Sequence, residues 1–162
     1  MAALGAEARH EGRIYLVGGA TAVLIGWRSS TIDVDLKLVP EDDDVLRAIP
    51  RLKDELEINV ELASPDAFIP EVGGWETRSP FVAREGRISF HHYDLYSQAL
   101  AKLERSHEKD LDDVRAMRAA GWIDSKRLLS YFDEIEPKLY RFPAIDAPSF
   151  RRSVEGFVAG EG

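Results

Sequence analysis

A pair of glycines, Gly18 and Gly19, is followed fifteen residues later by the first of two aspartates, Asp33 and Asp35, that are separated by one residue. The glycines end a short apolar run at 14–17, which is typical of a buried strand, and the aspartates lie in a second apolar run at 32–39. Because side chains alternate between the faces of a strand, both carboxylates point the same way. At a separation of about 7 Å they repel each other unless a cation lies between them. The spacing therefore predicts a site for Mg²⁺ or Mn²⁺, which bind oxygen ligands and share their coordination with phosphates.

The double glycine also predicts a close approach of the backbone to a phosphate group, because neither residue has a Cβ atom. A helix predicted over 20–27 would present free N–H groups and the positive end of its dipole to the same phosphate. The alternative is a tight strand-to-helix turn beside a solvated acidic strand. Aspartate is disfavoured in strands, and two aspartates on one face favour the functional interpretation.

The segment resembles the signature of the polymerase β-like nucleotidyltransferases, and more narrowly that of the small bacterial branch that includes the AbiEii/MenA-type toxins. The resemblance rests on the double glycine, a short helix, Arg28, Thr31 and the Asp33-Val-Asp35-Leu run. The superfamily often has a serine after the first glycine, where this chain has a second glycine followed by alanine and Thr21. This departure leaves open whether a hydroxyl, that of Thr21, touches the phosphates.

Composition limits the class of protein. A chain of 162 residues, 44% of them hydrophobic, is expected to form one domain, 1–162, that buries its core without disulfides. The absence of cysteine excludes thiolate metal sites and thiol nucleophiles, and it fits a cytoplasmic protein. No run approaches the ~20 apolar residues of a membrane span, so no membrane association is expected. A net charge of −8 argues against an extensive nucleic-acid surface but allows a local basic cluster.

The predicted fold is α/β (α+β), with a small mixed β-sheet core over 13–92, helices packed on it, and a helical C-terminal half over 94–160. Strands are predicted at 13–17, 32–39 and 56–62, with a hairpin at 79–92. Further helices are predicted at 42–54, 95–104, 107–119 and near 148–158, the first of them opened by the acidic run 41–44. Asp94 and Ser106 are the predicted N-caps of helices 95–104 and 107–119. His10 is expected in a mobile N-terminal segment, and 64–78 in a loop that packs over a site.

A third carboxylate is expected on the strand at 56–62. Alternation gives this strand a polar face that holds Glu57, Asn59 and Glu61. The resembled superfamily commonly has a third carboxylate on a neighbouring strand, so Glu61 is the candidate, with Glu57 behind it. Ordinary polar alternation on a half-exposed strand is the alternative. His91 and His92, adjacent at a strand end, point to opposite faces and are interpreted as structural or substrate-lining.

A second charged group lies on the helices at 95–104 and 107–119. Treated as one continuous helix, this stretch gathers Lys102, Arg105, Lys109 and Asp113 on one face. Asp110 borders the apolar face, where a carboxylate is costly unless it is paired or used. The resembled branch has a lysine, an arginine and a basic-Asp-x-x-Asp run, which implies that Lys102 contacts phosphates while Lys109 and Asp110 hold the second helix at the site. An amphipathic helix with ordinary ion pairs is the alternative.

These features and the resemblance predict a Mg²⁺- or Mn²⁺-dependent nucleotidyltransferase that moves a nucleoside monophosphate from an NTP to an RNA, tRNA above all, or to a protein. The expected catalytic residues are Asp33, Asp35, Glu61, Lys102 and Asp110, of which the first three would bind metal. The expected NTP contacts are Gly18, Gly19, Thr21, Arg28, Thr31, Lys102, Arg105 and Lys109. The resemblance also implies a toxin–antitoxin or defence system with a cognate antitoxin. The alternatives are a degenerate nucleotide- or partner-binding module of the same fold, and an Asp-x-Asp glycosyltransferase. The base, the acceptor and the oligomeric state are left open.

Overall fold

The computed structural model describes residues 1–160, which fall into two compact units. The first contains Met1–Ser64 and Ser79–Tyr93, and the second contains Pro65–Arg78 and the described residues from Asp94 onward. The sequence placed segment 65–78 in the sheet core, but in the structure this segment belongs to the second unit. That the whole chain is one domain stays a prediction.

A five-stranded mixed sheet forms the centre of the first unit. Its strands are β1 (Gly12–Val17), β2 (Asp33–Val39), β3 (Asn59–Leu62), β4 (Phe81–Glu85) and β5 (Ile88–His92), in the spatial order β3-β2-β1-β5-β4. Strand β1 pairs antiparallel with β2 and parallel with β5, β2 pairs parallel with β3, and β4 pairs antiparallel with β5. The predicted fold class is confirmed.

Three helices cover one face of this sheet: α1 (Ala2–Glu7), α2 (Gly18–Ile25) and α3 (Asp43–Leu56). Apolar residues of α3 recur at a spacing of three and four residues, so that they face the sheet together. They form one hydrophobic core with residues of α1 and α2 and of strands β1, β2, β3 and β5. Asp42 caps α3 by accepting from the backbone N–H groups of Asp44 and Val45, at 2.9 and 3.1 Å. The acidic run therefore opens a helix, as predicted.

The N-terminal segment differs from expectation, because residues 2–7 form α1 where a mobile terminus was predicted. Leu4 is buried in the core. Gly5 lies so close to β4 that a Cβ on it would be 2.4 Å from the carbonyl oxygen of Glu85. This tertiary packing holds a helix of only six residues, which is too short to be stable alone.

Two strand boundaries also differ. Strand β3 begins at Asn59, three residues later than predicted, because α3 continues to Leu56 and Glu57 takes a left-handed conformation with φ 52°. Strand β2 begins at Asp33, and the preceding Ile32 is 68% exposed although the sequence placed it in the strand.

The second unit is helical, with α4 (Leu95–Arg105), α5 (Glu108–Ala119), α6 (Ser125–Ile135) and α7 (Ala147–Ala159). Three short 3₁₀ segments accompany them, at Pro65–Ala67, Glu76–Arg78 and Glu136–Arg141. Its core includes the edge-to-face ring pair of Phe132 and Phe150, whose centroids are 4.8 Å apart. Within residues 1–160, no helix combines the length and the apolar character needed to cross a bilayer.

Ser106 separates α4 from α5 in a way that the sequence did not indicate. It ends α4 in a left-handed conformation with φ 53°, and its hydroxyl bonds to the carbonyl of Leu103. The N-cap of α5 is His107, which makes no side-chain capping bond. The prediction that Ser106 caps the second helix is therefore wrong, and the two helices do not share one continuous face.

Asp94 joins segment 65–78 to α4. Its buried carboxylate accepts from the backbone N–H and the hydroxyl of Ser97 at 3.3 and 2.7 Å, which confirms it as the N-cap. The same carboxylate accepts from Nε and Nη2 of Arg78 at 3.1 and 2.8 Å. Arg78 in turn donates to the carbonyl of Gly73 at 2.7 Å.

Replacing Asp94 with alanine is expected to lower the free energy of unfolding by about 3 kcal/mol, because it removes a helix cap and leaves a largely buried guanidinium without its carboxylate. The matched control is Asp124→Ala, which removes the cap of α6, where the side chain accepts only from the N–H of Arg127. That cap is exposed and its loss should cost about 1 kcal/mol. Urea denaturation measures both values, and equal losses in the two variants would contradict the role assigned to Arg78.

Candidate functional site

The two aspartates of β2 lie on the face of the sheet opposite the core. Val34, Leu36 and Leu38 pack in the core or against it. Because side chains alternate along a strand, Asp33 and Asp35 are on the other face, as predicted. Asp33 is exposed and Asp35 is half-buried.

Strand β3 brings two more polar side chains beside these aspartates. In the parallel register, Asp33 lies opposite Asn59 and Asp35 lies opposite Glu61. The amide nitrogen of Asn59 donates to Oδ1 of Asp33 at 3.3 Å and to Oε1 of Glu61 at 3.1 Å. Glu57, the second candidate for a third carboxylate, precedes β3 and does not share this register.

The glycine turn lies directly against β2. Gly18 has a φ of +59°, and a Cβ on it would be 3.0 Å from Oδ2 of Asp35. A Cβ on Gly19 would be 2.5 Å from Oγ1 of Thr31. Both positions thus require glycine, one for its conformation and the other for space. The turn places the N-terminus of α2 beside the Asp35 carboxylate, where the helix dipole favours negative charge.

The two threonines predicted to contact NTP have backbone partners. The hydroxyl of Thr31 accepts from the N–H of Asp33 at 3.1 Å and lies 3.2 Å from the carbonyl of the same residue. Thr21 is fully buried, and its hydroxyl donates to the carbonyl of Leu16 at 2.8 Å. Arg28 follows α2 and is half-buried, with its backbone N–H bonded to Ala22. Contact of these three residues with NTP stays a prediction.

A buried histidine supports the turn from within the first unit. The carbonyl of Leu16, at the end of β1, accepts from the hydroxyl of Thr21 and from the N–H of Tyr93 at 2.8 Å. Nδ1 of His92 lies 3.2 Å from the same Thr21 hydroxyl. Since that hydroxyl gives its proton to Leu16, we infer that His92 donates through Nδ1–H. Burial, and to a lesser degree the neighbouring His91, lower the pKa of His92.

The charged residues of the second motif form a cluster within the second unit. Nζ of Lys102, a side chain in a residue only 6% exposed, lies 2.9 Å from Oδ1 of Asp110 and 2.7 Å from Oδ2 of Asp113. Nη2 of Arg105 lies 3.0 Å from Oδ1 of Asp110. These bonds join α4 to α5. Burial by itself would raise the pKa of Asp110, but the bonds and charges of Lys102 and Arg105 outweigh it and lower that pKa.

Lys109, which the sequence placed on the same face as Lys102, is exposed and takes no part in these bonds. The break at Ser106 explains the difference, because it turns Asp110 instead of Lys109 toward α4. Asp110 is paired with Lys102 and Arg105, and not with Lys109 as predicted. The first unit thus holds the group around Asp33 and Asp35, and the second unit holds the group around Lys102.

A model of the family described as a nucleotidyltransferase of unknown function, DUF6036, matches residues 3–149. The chain belongs to this family. No curated protein and no solved structure matches the chain. Membership in DUF6036 supports the nucleotidyltransferase part of the resemblance, whereas the AbiEii/MenA-type branch stays a prediction.

Nucleotidyl transfer commonly requires a divalent cation, and the carboxylates of this DUF6036 member suit one. Among residues 1–160, no three side chains of the His, Cys, Asp and Glu types are placed to enclose a metal ion. Asp33 and Asp35 nevertheless provide oxygen ligands on one face, beside a turn in which a Cβ would crowd Asp35. This set fits Mg²⁺, which keeps waters and takes one or two carboxylates plus substrate phosphates. Whether Glu61 is a third ligand stays a prediction.

His92 makes stability depend on pH in a definite direction. Its pKa is lowered in the folded state, so the unfolded chain binds the proton more readily and stability falls as the pH drops below about 6.5. In His92→Gln this contribution is lost, while the amide can still donate to Thr21. Between pH 7.5 and pH 5.5 the wild type should therefore lose more free energy of unfolding than the variant, measured by urea denaturation. A larger loss in the variant would contradict a buried neutral His92.

Replacing Lys102 with alanine should lower the free energy of unfolding by about 3–5 kcal/mol, because two buried carboxylates lose their shared cation. Lys126→Ala, at an exposed position of α6, is the control and should change stability by less than about 0.5 kcal/mol. Thermal and urea denaturation compare the two variants. If Lys102→Ala were as stable as the control, the assignment of Lys102 as the joint between α4 and α5 would be wrong.

Proposed function

We propose that this member of the DUF6036 family transfers a nucleoside monophosphate from an NTP to an acceptor hydroxyl in a Mg²⁺-dependent reaction. The observation that carries the proposal is the position of Gly18, where a Cβ would be 3.0 Å from the Asp35 carboxylate, in a nucleotidyltransferase family. Such a turn lets phosphate oxygens reach backbone N–H groups at the start of α2 beside the carboxylates.

In this proposal Asp33 and Asp35 hold the ion, and Gly18 and Gly19 accommodate the triphosphate. Bound Mg²⁺ would neutralise charge on the phosphates and favour ionisation of the acceptor hydroxyl. Glu61, exposed beside Asp35, is the proposed acceptor of the hydroxyl proton. The acceptor oxygen forms a bond to the α-phosphorus as the bond to pyrophosphate breaks. Asn59 orients the carboxylates of Asp33 and Glu61 through its amide.

The second group is proposed to have a structural task in this reaction. Lys102 already bonds to two carboxylates, so it organises α4 and α5 rather than neutralising pyrophosphate. Arg28 is then the proposed cation for the charge that develops on pyrophosphate. The acceptor is proposed to be an RNA, such as tRNA, or a protein. A toxin–antitoxin or defence role with a cognate antitoxin is proposed on the sequence resemblance alone.

A second candidate function is nucleotide binding without transfer. The observation that favours it is the amide of Asn59, which donates to Asp33 and Glu61. Each of these bonds occupies a carboxylate oxygen that metal binding by Asp33 or Glu61 would otherwise use. Binding of NTP without any transfer to RNA or protein would support this candidate.

The central test is Asp35→Asn, which keeps the shape of the side chain but removes its charge. Mn²⁺-dependent NTP binding, measured by calorimetry with each of the four NTPs, should fall at least tenfold because one of two charged ligands is lost. The control is Asp54→Asn, at an exposed position of α3, which removes the same charge and should bind as the wild type does. Unchanged NTP affinity in Asp35→Asn would rule out the metal site.

Transfer itself is measured with α-³²P-labelled NTPs, Mg²⁺ and total bacterial tRNA. Label on RNA or on protein with the wild type and with Asp54→Asn, but not with Asp35→Asn, supports the transferase. NTP binding without label transfer supports the binding module instead.

A further inference from the structure

Four polar side chains form two adjacent cross-strand pairs on the face of the sheet that carries the aspartates. Asp33 lies opposite Asn59, and Asp35 lies opposite Glu61, because β2 and β3 are in parallel register. Neighbouring strands are about 4.8 Å apart, and alternate residues of one strand are about 7 Å apart. Three members of this group are carboxylates, and the fourth, Asn59, is an amide.

The position and the orientation of this amide are both fixed by hydrogen bonds. The backbone N–H of Asn59 donates to the carbonyl of Ile32 at 2.7 Å, which joins the start of β3 to the residue before β2. The side-chain nitrogen donates to Oδ1 of Asp33 at 3.3 Å and to Oε1 of Glu61 at 3.1 Å. An amide nitrogen has two protons, and an ionised carboxylate can only accept. Both protons of the Asn59 amide are therefore used, one on each strand.

An amide nitrogen and a metal ion compete for the same carboxylate oxygens. An ion shared by Asp33 and Glu61 would have to displace the two bonds that Asn59 makes. Neither of these bonds involves Asp35. The amide thus opposes coordination by Glu61, while Asp35 and the second oxygen of Asp33 can still hold an ion together.

The balance of charge agrees with this division. One divalent ion balances the two charges of Asp33 and Asp35, and Mg²⁺ commonly takes one or two carboxylates. In two-ion sites the ions lie about 3.5–4 Å apart, and a further carboxylate is needed to hold the second one. Glu61 is the neighbour of Asp35 in register and would be that ligand. Its charge is instead offset by the bond from Asn59.

Protection of a sheet edge accounts for a polar residue at position 59 but not for an amide there. Strand β3 is an edge strand, and a charged side chain would protect such an edge equally well. A carboxylate at position 59 would repel Asp33 across the strands unless a cation lay between them. The amide joins two carboxylates without adding a charge of its own.

We propose that Asn59 limits the site to a single divalent ion, held by Asp33 and Asp35, and keeps Glu61 out of the coordination of that ion. This inference rests on the proposed function, in which Glu61 accepts the proton of the acceptor hydroxyl. A carboxylate bound to a divalent cation is a much weaker base than one bonded to a neutral amide. Asn59 is thus a positioning residue that separates the proton acceptor from the residues that hold the ion.

The test counts bound Mn²⁺ by electron paramagnetic resonance, in which the signal of the free ion is lost on binding. The wild type should bind one Mn²⁺ per chain, alone and with α,β-methylene analogues of the four NTPs. Asn59→Asp, which replaces the donor with a fourth carboxylate, should bind two. The control, Ala144→Asp, adds the same charge at an exposed position of the second unit and should bind one. Two ions on the wild type, or one on Asn59→Asp, would overturn the inference.

Glu61→Gln gives a second test that does not depend on the folding of Asn59→Asp. The substitution removes the charge but keeps an oxygen that can accept from Asn59. Its Mn²⁺ affinity should stay within about twofold of the wild type, whereas its nucleotidyl transfer should fall at least tenfold. Combined with Asn59→Asp, Glu61→Gln should remove the second ion. A tenfold loss of Mn²⁺ affinity in Glu61→Gln alone would identify Glu61 as a ligand and overturn the role of Asn59.

Stability adds a readout that is independent of catalysis. Without metal, Asn59→Asp should have a lower Tm than the wild type, because like charges then lie opposite each other at positions 33 and 59. Mn²⁺ should raise the Tm of this variant by more than it raises that of the wild type or of Ala144→Asp. An equal rise in all three proteins would count against a second ion beside position 59.

Two further outcomes separate this inference from the proposed function. One Mn²⁺ on the wild type and two on Asn59→Asp, in a protein that transfers no nucleotide, would support the role of Asn59 while the proposed reaction fails. Two Mn²⁺ on a wild type that transfers label to RNA or protein would leave the reaction standing and overturn the role of Asn59.

Discussion

The backbone of Gly18 and Gly19 lies against Thr31 and β2, where Gly18 takes a positive φ beside Asp35 and Gly19 has no room for a side chain beside Thr31. This contact fixes the start of α2 relative to Asp33 and Asp35. Hydrogen bonds hold the chain just before the turn, since the carbonyl of Leu16 accepts from the hydroxyl of Thr21 and from the N–H of Tyr93. The turn is therefore constrained by sterics on one side and by hydrogen bonds on the other. The positive end of the α2 dipole then stabilises the negative charge of the Asp35 carboxylate.

The second unit uses charged residues for the opposite purpose. Lys102 and Arg105 carry two positive charges and Asp110 and Asp113 carry two negative charges, so the cluster is neutral as a whole. Buried ions are costly unless they are paired and hydrogen-bonded, and here the buried members satisfy one another. Such a cluster specifies how α4 meets α5.

Local chemistry made part of this structure predictable. Alternation placed Asp33 and Asp35 on one face, and the register of β3 set Glu61 beside Asp35. The caps Asp42 and Asp94 followed from residue type and position. Other features depend on tertiary contacts that no local pattern reveals. The six residues of α1 are stabilised by the approach of Gly5 to Glu85, far along the chain.

Ser106 shows a different reason why a prediction from the sequence was wrong. Serine at the start of a polar helix normally indicates an N-cap, but here the same residue adopts a left-handed conformation and closes the preceding helix. Because Ser106 caps α4 and not α5, Asp110 bonds to Lys102 and Arg105 in the place where the sequence put Lys109. The burial of Thr21, whose hydroxyl donates to the carbonyl of Leu16, was likewise not indicated by its place after the glycine turn. The directions of the side chains followed from the sequence where strand alternation fixes them, and less well where they depend on a helix end.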